Sequence, residues 1–379
     1  VEIIEVIEGG LHTTVQDLGR YGYQRYGVPV SGAMDSHSLR LANLLIGNPE
    51  DAAGLEITLV GPKLKFLADT AVVLGGADLR PRVDGQPFQM WRIVKIKAGS
   101  LLTFDGPQAG MRCYLAVPGG VDVPVVMGSR STYTRSAIGG YKGRILKPGD
   151  RLSALQGPGP LSRGCKLPQA LMPAFGHLHL LRVIMGPQED AFTPQGIASF
   201  LSSTYTVSRQ SDRVGIRLEG EGIQHVKSGD IISDGAPFGA VQVPGSGQPV
   251  VLMADRGTTG GYTKIAAIIT TDIGKLAQAL PGDKVSFKAV TLNEAQALLA
   301  EREELVLEFK RHVEGIKAGG VSRVTIAVEG AALLVTDDSG TPLTETERFP
   351  IGHAGLKRSM TVRAGGQAYT FEVEVHRQD

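Results

Sequence analysis

Two segments of this 379-residue chain carry the same ladder of landmarks, and that repeat limits the folds open to the chain more than any other feature. "VPGGVDVPVVMGSRSTYTRSAIGGYKGRILKPGD" begins at Val117, and "VPGSGQPVVLMADRGTTGGYTKIAAIITTDIGKLAQALPGD" begins at Val243. Val117 with Val243, Met127 with Met253 and Arg130 with Arg256 share one offset of 126 residues. The offset drifts to 121 at the GGY pair, Gly139 with Gly260, and to 133 at the PGD pair, Pro148 with Pro281. Loop insertions produce such drift while the flanking elements stay put. Self-similarity of this kind predicts two related lobes.

The lobes read as β structure. Fifty glycines in 379 residues amount to about 13%, against a usual share of about 7%, so tight turns are frequent. Short runs such as "AVVLGG", "RIVKIKAG", "LLTFDG", "RCYLAVPGG" and "PVVLMAD" are aliphatic or aromatic and stop at Gly, Pro or Asp, the pattern of many short strands. Two helices stand out. "DSHSLRLANLLIG" has Asp35 as N-cap and Gly47 as stop. "TLNEAQALLAEREELVLEF" opens with Thr291 and Glu294 at capping-box spacing and sets Ala295, Leu298, Leu299 and Leu305 on one side. The boundaries expected are a first lobe over 1–156, a linker over 157–176 rich in Pro and Gly, and a second lobe with its closing helix over 177–312. A small β extension of unassigned role follows over 318–379.

Composition removes several function classes. Thirty-nine basic against 38 acidic residues leave a net charge of +1, so nothing in the balance favours nucleic acid or an anionic membrane. No apolar run approaches the roughly 20 residues that span a bilayer, and "VEIIEVIEGG" reads as a strand, not a secretory signal. The two cysteines, Cys113 and Cys165, have no metal-type spacing; free thiols and a cytoplasmic setting are the expectation.

There is no GxxxxGK[ST] loop, GxSxG elbow, HExxH or CxxC. His177 and His179 alternate in "HLHLL" and would share a strand face, but no third metal ligand stands near, and a half-exposed strand face explains them as well. "ADRGTTGGYTK", Ala254 to Lys264, is richer. It packs Asp255, Arg256, Thr258, Thr259, Tyr262 and Lys264 around two glycines, a composition able to hold an anion through backbone N–H groups, a guanidinium fork and hydroxyls. A surface hairpin with scattered charges is the competing reading. Its repeat partner "GSRSTYTRSAIGGYK" keeps Arg130, Ser131, Thr132 and GGY but has no acid where Asp255 stands. The stretch "GLHTTVQDLGRYGYQRYGVPVSGAMD", Gly10 to Asp35, is too polar for a core centre and offers Gln16, Asp17 and Arg20 to a site or a partner.

Taken together, "TTVQDLGRYGYQRYGVPVSGAMD", "LRLANLLIGN", "GSRSTY", "SDRVGIRLEG", "VQVPGSGQPVVLMADRGTTGGY" and "PGD" resemble the family of the 5-oxoprolinase C subunit, also known as the KipI antagonist KipA and as allophanate hydrolase subunit 2. The likeness covers about residues 3 to 290 and extends to part of the carboxyltransferase region of urea carboxylase. It implies two tandem cyclophilin-like β-barrel lobes. It also implies a hydrolase complex with two further proteins, one like KipI or the 5-oxoprolinase B subunit and one like the 5-oxoprolinase A subunit. That complex opens the small-molecule substrate 5-oxoproline to glutamate at the expense of ATP.

Phosphorylating the lactam oxygen would turn a resonance-stabilised amide into a reactive imidate, and the charge must be stabilised as the phosphoryl group moves. Asp255, Arg256 and Asp17 are the candidate catalytic residues. Gln16, Arg20, Arg130, Ser131, Thr132, Thr258, Thr259, Tyr262 and Lys264 are candidates for binding substrate or ATP, with Asp17 or Asp255 available to Mg²⁺. A structural salt bridge explains each Arg or Asp taken alone. ATP and Mg²⁺ are expected at the level of the complex. Two alternatives stay open: half of a biotin-dependent carboxyltransferase, or a non-catalytic binder of a KipI-like kinase inhibitor. Lys357 in "GLKRS" lacks the flanks of a biotinylation site, so no covalent biotin is expected on this chain.

Overall fold

The computed structural model describes residues 1–155 and 167–317, and, as backbone strands, 325–329, 332–336, 357–364 and 367–374. Cys165 and the whole first half of the proposed linker, 157–166, lie outside these residues. The protein is mainly β, with four helices among the described residues: α1 (Ser36–Ile46), α2 (Pro194–Ser202), α3 (Ile273–Ala277) and α4 (Leu292–Lys317). The chain divides into two compact units, one ending at Leu307 and the other taking the chain from Glu308 on. The second unit contains two antiparallel hairpins, Thr325–Glu329 with Ala332–Thr336 and Lys357–Ala364 with Gln367–Glu374.

Within the first unit the duplicated sequence builds two β lobes that complete themselves differently. The first uses two sheets. One runs in the order Val121–Asp122, Arg151–Ala154, Glu2–Glu8, Lys63–Phe66, Leu101–Phe104, Pro81–Val83, Gln86–Pro87. The other runs His12–Gln16, Gly54–Thr58, Ala109–Ala116, Thr70–Asp78, Val94–Ile96. The second lobe closes: Leu178–Met185, Lys284–Ala289, Tyr205–Val207, Gly215–Glu219, Val250–Leu252, Ala240–Val243 and Thr259–Ile268 follow one another, and the last pairs back onto the first through Val183 and Ile268. Closure satisfies both edges of the ladder, which removes the exposed N–H and C=O rows of an open sheet. Asp230–Gly235 hangs outside this ring on Thr259–Ile268.

Each lobe has its own apolar centre. Ile4, Leu55, Phe66, Leu74 and Leu115 lie in the first; Leu181, Phe200, Tyr205, Val241, Met253 and Phe287 lie in the second. Met34, from the polar opening stretch, is fully buried in the second core although its neighbours belong to the first lobe. A side chain of this size buried in full contributes about 1.5–3 kcal/mol, so the stretch latches one lobe onto the other. It can cross because Gly19 and Gly32 touch: a Cβ on Gly32, at φ +88°, would sit 2.9 Å from the Gly19 backbone.

The helix ends form as the sequence indicates. Asp35 Oδ1 accepts from Ser38 N at 3.1 Å, and Gly47 terminates α1 in the left-handed region at φ 89°. Thr291 and Glu294 form a reciprocal capping box at the start of α4, each accepting the other's backbone N–H at 2.7 and 3.2 Å.

Candidate functional site between the lobes

The residues of the opening stretch and of the first repeat loop make a buried polar knot. Asp17 Oδ1 accepts from Gly19 N at 2.8 Å, Ser129 Oγ at 2.7 Å and the Ser131 hydroxyl, and its Oδ2 accepts from Arg130 N at 2.5 Å. The loop thus holds an anion, and the anion is the chain's own. Arg20, wholly buried, donates from Nη2 to Ser131 O at 2.7 Å and from Nε to Val126 O at 3.2 Å. Gln16 Nε2 donates to Thr132 O at 3.1 Å, while the Thr132 hydroxyl donates to Val15 O. Arg130 Nε donates to Val123 O at 3.0 Å. A Cβ on Gly140 would fall 1.8 Å from Thr132 Oγ1, which is why the GGY landmark needs its glycine.

The second repeat loop is wired outward. Asp255 accepts from Arg213 Nε at 2.9 Å, Arg213 Nη2 at 3.0 Å and Ser31 Oγ at 2.7 Å. Arg213 also donates to Glu56, on a first-lobe strand, and to Gly32 O at 2.6 Å. Tyr114 OH and Met34 N complete the Glu56 carboxylate, each at 2.8 Å. Burial pushes the Glu56 carboxyl up, but the Arg213 and Arg112 guanidiniums outweigh it and hold the group below the usual carboxylate range. Asp255 therefore ties the lobes together, the asymmetry already visible when the two repeat loops are aligned. Gln278 makes a second tie, donating to Asp35 Oδ2 and Arg112 O at 2.9 Å each and accepting from Met111 N and Arg112 N.

Between these ties lies a cavity of about 460 Å³, a size usual for small-molecule sites. Leu18, Tyr21, Val30 and Ser31 come to it from the opening stretch, His37 from the first turn of α1, Phe238 and Arg256 from the second lobe, and Arg302 from α4. Ser31 is held at φ 58°, uncommon for a non-glycine residue, by its hydroxyl and by its N–H donating to Ala254 O at 3.1 Å. Arg256 rests over the Phe238 ring at 5.2 Å and donates from Nε to Ala236 O at 2.8 Å. Burial lowers the pKa of both Arg256 and Arg302; both remain charged. His37 is lowered too, by burial first and by Arg302 and Arg40, with Asp35 and Glu303 opposing.

Of the residues singled out from sequence, Arg256 lines this cavity, and it lines a neighbouring hollow together with Thr258. Asp17, Gln16, Arg20, Ser131 and Thr132 are gathered in the buried knot. Thr259 and Tyr262 sit exposed on the strand that carries the outer segment Asp230–Gly235, and Lys264 Nζ pairs with Asp234 at 3.1 Å. His177 and His179 share the Asp283 carboxylate at 2.7 and 3.2 Å, one imidazole exposed and the other buried. Among the described residues no group of three His, Cys, Asp or Glu could hold a metal ion. Neither Asp17 nor Asp255 fits Mg²⁺, because their oxygens are occupied by the chain's own donors. Cys113 is a buried free thiol. No helix among the described residues is long and apolar enough to cross a membrane. His37 and Arg302 escaped notice because each sits in a helical pattern that amphipathicity already explains; only the fold brings them to one cavity.

The profile of the carboxyltransferase domain, subdomain A and B, matches residues 26–289. The chain belongs to the carboxyltransferase subdomain A and B family. Within this family it is 42% identical over 299 residues to the 5-oxoprolinase C subunit of Escherichia coli, which takes in 77% of this chain and 93% of that protein. The 5-oxoprolinase C subunit of Haemophilus influenzae is 36% identical over 313 residues, 82% of this chain and 99% of that protein. Among solved carboxyltransferase-family structures, urea amidolyase of K. lactis aligns over 99% of this chain and 23% of its own length, with a TM-score of 0.78 and 28% identity.

Proposed function

We propose that this chain is the C subunit of an ATP-dependent 5-oxoprolinase, opening 5-oxo-L-proline to L-glutamate only in company with B-type and A-type subunits in the cytoplasm. The observation that carries this reading is the near full-length match to proteins of that name. The cavity is consistent with it: the reaction develops negative charge on oxygen as phosphate moves to and from the lactam, and fixed cations in a partly dry site stabilise such charge far better than water does. Arg256, which lines the cavity, is the cation given that role in this reading. With Asp17 and Asp255 engaged in the fold, ATP and Mg²⁺ are assigned to the assembled complex and not to a metal site on this chain. The KipI-type partner is the B-type subunit in this reading.

A second reading rests on the family profile and the urea amidolyase alignment: a carboxyltransferase half-site in which another protein delivers carboxybiotin. One reconstitution separates the two. The chain is combined with B-type and A-type subunits, and ADP and glutamate formation are measured with each protein omitted in turn. Dependence on 5-oxoproline and on all three proteins supports the hydrolase; dependence on bicarbonate and a biotinylated carrier supports the carboxyltransferase.

A further inference from the structure

One guanidinium in the inter-lobe cavity, that of Arg256, has a charge that no carboxylate takes up, and a second, that of Arg302, has only a shared one. Among the described residues Arg256 forms no salt bridge; its donors reach only the Ala236 and Met253 carbonyls, and its plane covers Phe238. Arg302 stands 3.4 Å from Glu303, but that carboxylate is already gripped by both terminal nitrogens of Arg40 at 2.9 and 2.6 Å. The Nε atom of Arg302 and the Nδ1 atom of His37 are buried without a hydrogen-bond partner. Glu50 and Glu303 together balance Arg40 and Arg302, but among the described residues no acid pairs with Arg256. Asp35 is spent on the α1 cap and Gln278, Asp272 on Arg182 and Lys275, and Glu301 is exposed.

A desolvated guanidinium without a carboxylate, together with the unpartnered Arg302 Nε and His37 Nδ1 atoms, around one apolar-walled cavity is costly unless something completes the set. We propose that this cavity binds a compact ligand through an oxyanion group, carboxylate or phosphoryl, with Arg256 as its anchoring cation, Arg302 reinforcing it, and Phe238 and Val30 covering its apolar part. Identifying that oxyanion with the carboxylate of 5-oxoproline or a phosphoryl group of ATP rests on the hydrolase reading above; the binding of an oxyanion does not.

The test is calorimetric titration of the full chain alone with 5-oxoproline, with 2-pyrrolidone, which keeps the ring and lacks the carboxylate, with inorganic phosphate and with ATP. The expected result is binding of 5-oxoproline or of the phosphate compounds, none of 2-pyrrolidone, and weakening with added salt. Arg256→Ala should weaken binding about 10- to 150-fold, the loss of a charge-assisted contact, and Arg302→Ala by a smaller factor. Arg256→Gln keeps the stem over Phe238 and serves if the alanine variant does not fold. Lys97→Ala, which removes an exposed ion pair with Asp69, should bind as the parent does. Equal binding of 2-pyrrolidone and 5-oxoproline, oxyanion binding unchanged in folded Arg256 and Arg302 variants, or no oxyanion binding at all would each overturn the proposal. Arg256-dependent oxyanion binding by a chain whose reconstituted complex does not open 5-oxoproline would sustain this inference and sink the hydrolase reading instead.

Discussion

The two repeat loops begin from nearly the same residues and end in opposite electrostatic situations. Around Arg130 the loop folds inward onto Asp17, so the anion its N–H and hydroxyl donors seek is supplied from within the lobe. Around Arg256 the acid has moved into the loop itself as Asp255, where it reaches across to Arg213 and Ser31. The neighbouring arginine then faces the cavity with no carboxylate to meet it. Duplication supplied two loops able to hold anions; one became a structural knot and the other a boundary between lobes. The lesson is that an ion-binding composition names a capacity, and the surrounding strands decide whether that capacity is filled internally.

The largest test breaks the inter-lobe tie. Arg213→Met leaves Glu56 and Asp255 as buried carboxylates without their shared cation, and removal of one partner from a buried pair costs about 3–5 kcal/mol. Urea denaturation should show a loss of that order. A loss below about 1 kcal/mol would mean that the two lobes do not depend on this network.

Next comes the contrast between the arginines themselves. Arg256→Ala should lower the activity of the reconstituted complex about 10- to 150-fold, equivalent to 1.5–3 kcal/mol, while changing stability by only about 1 kcal/mol, because the residue leaves no core cavity. Arg130→Ala removes one bond to Val123 O in the loop that already holds its anion, and should change activity less than about threefold. Equal losses in the two variants would erase the distinction between the loops.

Asp17→Asn carries the opposite signature. It replaces a carboxylate that accepts four donors by an amide that matches them poorly, for a stability loss of about 1–3 kcal/mol, while the cavity keeps its charges. Thermal melting should fall, and oxyanion affinity at the inter-lobe cavity should stay as it was. An affinity drop without a stability drop would put Asp17 in the binding site after all.

Much of this arrangement is legible in the chain itself. The strand runs, the caps at Asp35 and Thr291, the duplication and the unequal loops all follow from local chemistry, which the sequence carries directly. Choices set by distance in space are not legible there. Nothing in "TTVQDLG" says that Asp17 meets Ser129 and Ser131 more than 100 residues away, and nothing in "DRVGIR" marks Arg213 as the cation shared by Glu56 and Asp255. A polar residue at a glycine-rich turn reads as accessible, yet Arg20 is fully buried because Ser131 O and Val126 O receive it. Closure of only the second β ladder is equally invisible in sequence, since it depends on Thr259–Ile268 being long enough to pair on both sides.

The smallest effect concerns His37, the imidazole at the edge of this contrast. In the folded protein its pKa lies below the ordinary value of 6.5, through burial and through Arg302 of α4 and Arg40 of its own helix; Asp35 at the helix cap and Glu303 of α4 act in the other direction. Lowering the pH through 6.5 therefore protonates the unfolded chain before the folded one. The unfolded state binds more protons in that window, so stability rises with pH there and is lost as the pH falls from 6.5 toward the folded pKa, below which the contribution stays lost. His37→Gln should remove this part of the acid sensitivity, read as the difference between denaturation curves at pH 7.5 and 5.5 for the two proteins, while Glu56, held below the usual carboxylate range, stays ionised across it. An oxyanion in the cavity would favour the imidazolium, so saturating phosphate should raise the His37 titration midpoint observed by proton NMR. If phosphate binds and leaves that midpoint in place, the anion sits elsewhere, and the second repeat loop is no more open to ligand than the first.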